Sequence, residues 1–178
     1  MKKKNQKQIR RAKCTILFYV EGSSEEVFLK HLRRTYARNS GVAVTIRNGQ
    51  GGSADGIVQR AICYPGGFDR RVAVLDNDKP KNEMAKARAL AKTAGVEIIE
   101  NCPCLEALLL RILNGGKILE DANSKYYKKE FEKKHICESK RCNIDEYAKI
   151  FPKNVLDGSR KKVKELGRIV GLMENKKV

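Results

Sequence analysis

Two acidic motifs carry the residues of this chain whose types and spacing could do chemistry. Each motif directly follows a short apolar run: Glu21 and Glu25 follow residues 15–20, and Asp76 and Asp78 follow residues 72–75. A single acid after a strand is most often a helix cap or a solvated turn residue. Four carboxylates brought together would instead repel one another without a cation between them. The pairing of the two motifs therefore favours a metal site, and Mg²⁺ is the cation that prefers such oxygen ligands.

The elements that must position these acids alternate regularly along the first two thirds of the chain. Short β-branched and aromatic runs predict buried strands, and amphipathic segments between them predict helices. We expect strands at 14–20, 42–47, 71–76 and 96–99, and helices at 24–38, 54–63, 82–94 and 104–113. This alternation predicts an α/β fold with a parallel sheet flanked by helices. Ligands in such sheets bind at the carboxyl ends of the strands, where both acidic motifs lie.

The spacing within each motif supports convergence. Asp76 and Asp78 are two residues apart, so they project to the same side if the strand geometry continues. Glu25 lies four residues after Glu21, in the first turn of the following helix, and Gly22 permits a tight turn between strand and helix. If the two strands lie in one sheet, these carboxylates can converge on one or two hard cations.

The chain divides into three parts by charge and composition. Residues 1–13 contain seven Lys and Arg and no acid, which predicts a disordered basic arm. Residues 14–114 form the predicted α/β domain, in which acids and bases nearly balance. Residues 115–178 begin with a Gly-Gly pair and predict a basic helical extension packed on that domain, with helices near 124–135, 143–150 and 155–172.

The bulk composition narrows the classes of partner. The 178 residues carry a formal net charge of +17, which favours a polyanion, and nucleic acid is the first candidate. No apolar run approaches a membrane span and no signal peptide is evident, so we expect a cytoplasmic protein with no membrane partner. The six cysteines are then expected as reduced thiols.

The motifs together resemble the Toprim domain, the catalytic fold of topoisomerases, bacterial primases and several nuclease families. The shared features are a strand followed by Glu21-Gly22-x-x-Glu25 and, about 50 residues later, a strand followed by Asp76-x-Asp78. The segment 101–110 is similar to the Ser-Asn-Pro-Cys-Phe-Glu-x-Trp-Leu-Leu stretch of the RloB-like family, small Toprim proteins associated with bacterial restriction and phage-defence loci. Pro103, Cys104 and Glu106 match that stretch, whereas its Asn, aromatic and Trp positions are Cys102, Leu105 and Leu108 here.

The resemblance implies roles for the acids. Glu21 would be a general acid/base or a metal ligand, and Asp76 and Asp78 would hold Mg²⁺, or Mn²⁺ in its place. Glu25 would be a supporting ligand or would orient the others. Glu106 would either complete the site or cap its own helix, and the two interpretations are equally supported.

Three functions follow from the motifs and the resemblance. The leading hypothesis is a Mg²⁺-dependent nuclease that hydrolyses phosphodiester bonds in DNA or RNA. It would act in a bacterial or mobile-element defence system, and a protein of that system could be a partner. The second is a non-catalytic nucleic-acid-binding or scaffold protein that retains the metal site. The third is primase-like nucleotidyl transfer, against which the small size and the missing zinc-binding domain weigh.

Overall fold

The computed structural model describes residues 12–117 and 122–176 and has a parallel four-stranded sheet at its centre. The strands run in the spatial order β2-β1-β3-β4. Their bounds are β1 Cys14–Val20, β2 Val42–Asn48, β3 Arg70–Asp76 and β4 Glu97–Asn101. The two strands that precede the acidic motifs, β1 and β3, are therefore direct neighbours in one sheet.

Helices cover both faces of the sheet. In the described ranges they are α1 Ser23–Tyr36, α2 Ala54–Cys63, α3 Lys81–Ala94, α4 Leu105–Leu113, α5 Ser124–Lys134, α6 Ile144–Ile150, α7 Lys153–Ser159 and α8 Lys164–Met173, with a short 3₁₀ turn at Glu138–Lys140. Successive strand residues point to opposite faces. On β3, Val72 and Val74 accordingly pack in the core under α1 and α4, whereas Ala73 and Leu75 pack under α2 and α3.

The α/β architecture predicted from the sequence, a parallel sheet flanked by helices, is confirmed. The bounds of the strands and of helices α1 to α6 agree with the predicted ones to within two residues. The four last helices bury side chains such as Phe131, Tyr147 and Leu166 in the same core as α1 and the sheet. The proposed division at residues 114 and 115 stays a prediction, and most of the predicted basic arm, residues 1–11, lies outside the described residues.

The single helix predicted over residues 155–172 is wrong, because the chain forms two helices there, α7 and α8. Helix α7 packs against α4, whereas α8 packs against α1 and β4, and one straight helix would not reach both partners. The turn between them is tight: a Cβ on Gly167 would lie 2.5 Å from the carbonyl oxygen of Arg160. Periodicity does not detect such a break because the apolar spacing continues through it.

Two composition-based expectations can be compared with the structure. All six cysteines are free. In the described parts of the chain, no helix combines the length and the apolar character that crossing a membrane requires.

Candidate functional site

The carboxyl ends of the central strands bring the acidic motifs together. Val20 on β1 pairs with Val74 on β3, so Glu21 and Asp76 emerge from adjacent strand ends at the same edge of the sheet. On the other side of β3, Asp76 pairs with Asn101 at the end of β4. The chain then enters α4, which carries Glu106 in its first turn.

These ends surround an open cleft of about 280 Å³. Its lining combines carboxylates, small residues of the β1–α1 turn and two cations: Glu21, Gly22, Ser23, Ser24, Glu25, Gly51, Asp76, Glu106, Lys128 and Arg141. Four of the five acids selected from the sequence therefore share one cleft. Their catalytic and metal-binding roles stay predictions.

The turn between β1 and α1 presses Glu25 against the backbone. A Cβ on residue 22 would lie 2.9 Å from Oε2 of Glu25, so glycine is what allows the carboxylate to sit there. The side chain of Glu25 is only 8% exposed, so its ionised form is a largely buried charge. Burial, together with the nearby carboxylates of Glu106 and Glu21, raises the pKa of Glu25 to about 7 against the lowering effect of its backbone hydrogen bond.

Asp76 is under the same kind of electrostatic stress. It is buried, and its Oδ1 accepts a hydrogen bond of 3.1 Å from Nδ2 of Asn101. That hydrogen bond favours the ionised form, but burial and the fields of Glu25, Glu21 and Glu106 outweigh it and raise the pKa of Asp76 to about 8. The positive charges near the cluster therefore do not offset burial and mutual repulsion, and the pKa values of Glu25 and Asp76 lie near or above neutral pH.

Unpaired oxygen atoms indicate what the cleft could accept. Among the described residues, Oε2 of Glu21 and Oε2 of Glu106 are buried without a hydrogen-bond partner. Leaving a buried carboxylate oxygen unpaired costs free energy, which a cation would recover. The donor set of carboxylate oxygens is the one that Mg²⁺ or Mn²⁺ takes, so the chemistry of the residues fits such an ion.

The carboxylates are nevertheless not arranged as a finished coordination sphere. Within residues 12–117 and 122–176, no three His, Cys, Asp or Glu side chains form a group that could hold a metal ion. One reason is visible at Glu21, whose Oε1 lies 2.7 Å from Nζ of Lys79 in an ion pair. Lys79 pairs with Glu21, and its charge also interacts with Asp78 and Glu83; this role was not evident from the sequence.

Asp78 does not join the other acids in the cleft. Strand β3 ends at Asp76, and residues 77–79 form a turn in which Asp78 is exposed, so the strand geometry that would have placed both aspartates on one side does not continue. The condition for a shared side is therefore not met, and the metal-binding role of Asp78 stays a prediction. Asp78 remains close enough to influence its cationic neighbours, since its charge raises the pKa of Lys128 and of Lys79.

Lys128 and Arg141 are the cleft residues that sequence reasoning missed. They come from α5 and from the turn before α6, and the sequence shows them only as part of a basic C-terminal region. Burial lowers the pKa of Lys128, but the fields of Glu106, Asp76 and Asp78 outweigh it and raise the pKa overall. Arg141 donates to Glu132 at 3.3 Å, while its buried Nε has no partner among the described residues. The cleft thus combines acids suited to a cation with two cations suited to an anion.

Glu106 lies among the acids of the cleft, which favours the site interpretation, and its role stays a prediction. Its side chain is 5% exposed and lies in the cleft, and α4 has no side-chain capping hydrogen bond at its start. We expect Glu106→Gln to preserve or raise the melting temperature without metal, because it removes one carboxylate from a self-repelling cluster. The rise in melting temperature on adding Mg²⁺ should shrink, and thermal unfolding with and without Mg²⁺ measures both effects.

Glu165→Gln is the matched control, because Glu165 lies in the first turn of α8 and pairs with Arg111 outside the cleft. It should lower stability while leaving the Mg²⁺-induced shift intact. A Glu106→Gln variant with the shift of the unaltered protein would exclude Glu106 from the metal site.

Comparisons with known proteins leave the family open. No protein-family model matches the chain, and no curated protein matches it. Among solved structures, the chain is similar to the C-terminal region of the Burkholderia pseudomallei OLD protein, with 12% identity and a TM-score of 0.39 over 90% of this chain and 96% of that one. A similarity of this strength does not transfer a function, and the RloB-like assignment stays a prediction.

Proposed function

We propose that this protein is a metal-dependent nuclease that hydrolyses phosphodiester bonds in nucleic acid with Mg²⁺ or Mn²⁺. The observation that carries the proposal is the cleft at the carboxyl ends of β1 and β3. Four carboxylates line it, the pKa of two of them is raised by burial and mutual repulsion, and two cations face them. Perturbed carboxyl groups in a cleft are typical of functional sites.

Each part of the cleft has a chemical task in this proposal. Glu21 and Asp76 would hold the metal from within the cleft, and Asp78 would be a further ligand if the turn after β3 brought it to the ion. A divalent ion, when bound, polarises a phosphate and lowers the pKa of a water molecule. Glu25, whose pKa of about 7 lies near neutral pH, is suited to accept or donate a proton. Lys128 and Arg141 would hold the non-bridging oxygens of the phosphate group.

The charge of the whole chain supports a nucleic-acid substrate. A net charge of +17 attracts a polyanion over long distances and speeds its association. A nuclease of this kind would suit the bacterial or mobile-element defence system that the RloB-like resemblance implies.

The direct test is cleavage of labelled single-stranded and double-stranded DNA and RNA, each with Mg²⁺, with Mn²⁺ and with EDTA. We expect at least one substrate to be cut with a divalent ion and none to be cut in EDTA, because the carboxylates alone do not activate water at a phosphodiester. Cleavage that persists in EDTA, or intact substrates under every metal condition, would refute the proposal.

A non-catalytic nucleic-acid-binding protein is the second candidate, and one observation favours it. Lys79 already pairs with Glu21, and the described residues contain no preassembled group of metal ligands. If that ion pair persists with Mg²⁺ present, the cleft would bind phosphate through Lys128 and Arg141 without hydrolysis. Binding of the same substrates without cleavage would identify this function.

A further inference from the structure

A basic groove runs along α1 beside the open edge of the sheet. β2 is an edge strand, and α1 packs against it. The groove between them has a volume of about 450 Å³. Its walls carry Lys30, Arg33, Arg34 and Arg38, and its apolar floor includes Val42, Val44 and Ile144. We call this surface the α1 groove.

The positive charge of the α1 groove is only partly neutralised inside the molecule. Lys30 pairs with Glu26 at 2.7 Å, and Arg34 pairs with Asp145 at 3.3 Å. The second pair is two thirds or more exposed on both sides, where an ion pair contributes little. Arg38 is exposed and, as far as the described chain extends, forms no ion pair. The groove therefore presents an excess of cations to solvent.

The edge strand beneath these cations is blocked against strand addition. Nη1 of Arg33 donates a hydrogen bond of 3.2 Å to the carbonyl oxygen of Val44, in the middle of β2. A peptide that paired with β2 would have to displace this guanidinium group from the carbonyl. The groove is thus poorly suited to an extended peptide and better suited to an anion that binds through side chains.

The α1 groove and the acidic cleft lie at successive parts of the same helix, α1. Ser23, the first residue of α1, lines the cleft, and Ser23, Glu26, Lys30 and Arg34 follow one another at spacings of three or four residues, which places them along one stripe of the helix. Arg38 follows in the turn after α1. Helix α1 spans 14 residues, so the helix is about 20 Å long. At the cleft end, Nδ2 of Asn48 donates to Oγ of Ser23 at 3.2 Å, which ties β2 to the start of the stripe.

We infer that the α1 groove binds the sugar-phosphate backbone of a nucleic-acid polymer on one side of the phosphate held in the cleft. This inference rests on the proposed function and specifies its substrate class: a chain that extends past the reacting phosphate, not a free nucleotide. The cations of the groove begin at Lys30 and cover roughly 10 Å, which corresponds to about three nucleotides at the spacing of a duplex strand. Guanidinium groups bind phosphate oxygens with two parallel hydrogen bonds, which explains why arginine dominates the groove.

The test measures binding without cleavage, in EDTA, using a labelled duplex of about 30 base pairs over a range of KCl concentrations. The variant is Arg34→Gln with Arg38→Gln, since neither side chain supports the backbone as Arg33 does. The matched control is Lys86→Gln with Lys92→Gln, which removes the same charge from exposed positions on α3, across the sheet. Circular dichroism and melting temperature establish that both variants are folded.

We expect the plot of log K against log salt concentration to become shallower by about 1.8 in the Arg34/Arg38 variant, since each lost phosphate contact removes roughly 0.9. The Lys86/Lys92 control should keep the original slope. Equal slopes for the Arg34/Arg38 variant and the unaltered protein would overturn the inference and leave an acidic protein as the better occupant. An equal loss in both variants would also overturn it, because charge alone would then explain binding.

This experiment separates the groove from the proposed nuclease. A slope change specific to Arg34 and Arg38 in a protein that cleaves no substrate would support the groove and refute the nuclease. Metal-dependent cleavage, combined with a salt dependence of binding that the Arg34/Arg38 change does not alter, would support the nuclease and refute the groove.

Discussion

Replacing Glu21 by Gln or Asp76 by Asn is expected to lower metal-dependent cleavage by about 100-fold or more in each case. Both side chains lie at the ends of adjacent central strands, and each change removes a charged oxygen that the cation would need. Neither side chain holds the apolar core together, so the folded structure should persist. The measurement is the initial rate of cleavage of the best substrate at saturating Mg²⁺, with circular dichroism as the check on folding.

Asp55→Asn is the matched control for these two changes. Asp55 lies in the first turn of α2, against the opposite face of the sheet. Its replacement by Asn removes one negative charge, as each of the other two changes does. Its cleavage rate should remain within about two-fold of the unaltered rate, since surface substitutions away from a site have small effects. Full activity of both the Glu21 and Asp76 variants would show that the cleft is not the site of hydrolysis.

The metal-free protein is expected to lose stability as pH rises from about 6.5 to about 8.5. The pKa of Asp76 rises from 3.8 to about 8 on folding, and that of Glu25 from 4.5 to about 7. A carboxyl group with a raised pKa in the folded state contributes stability that is fully present below its unfolded pKa and is lost as pH rises from there to the folded pKa, so this range covers the upper part of the decline. The expected decrease in the free energy of unfolding is on the order of a few kcal/mol.

Chemical denaturation at a series of pH values in EDTA measures this decrease. Asp76→Asn should remove a large part of it, because the amide carries no charge at any pH in the range. Mg²⁺ should oppose the decrease, since a bound cation favours the ionised carboxylates. A free energy of unfolding that is flat across this range in EDTA would mean that the cleft already contains enough positive charge.

The charged and titratable groups around Asp76 and Glu25 determine the pH range in which this measurement should be made. Glu21 and Glu106 add negative charge, and Lys128 adds positive charge from α5. His31 has a lowered pKa because it is buried, and it contributes stability that is lost as pH falls below its ordinary value of 6.5. Starting the series at about pH 6.5 therefore limits the influence of His31 on the measurement.

The strands and helices of the α/β domain, and the acids at the ends of its strands, could be predicted from the sequence alone. Strands β1 and β3 could be predicted because β-branched and aromatic runs are local properties of neighbouring residues. Glu21 and Asp76 could be selected because each directly follows such a run. Even Glu25 could be placed, since the distance from Glu21 is one helical turn after a glycine.

Local patterns failed where the outcome depended on how elements pack. Asp78 is separated from Asp76 by the end of a strand, and residues 155–172 form two helices because α7 and α8 contact different parts of the core. Glu106 fits a helix-start acid and a site acid equally well in the sequence, and its place in the cleft depends on β4 lying beside β3. The apolar spacing on either side of these points is the same for both outcomes.

Only the tertiary structure decided the composition of the cleft and the course of the α1 groove. Lys128 and Arg141 are more than 50 residues from Asp76 in sequence, and they reach it because α5 and the following turn pack over α4 and α1. In the sequence, the acids of the α/β domain nearly balance its bases. In the structure, four of those bases line the α1 groove. Such convergence depends on the packing of distant elements on one sheet. Apolar side chains supply the free energy of that packing. Their pattern in the sequence does not indicate which charged residues the packing will bring together.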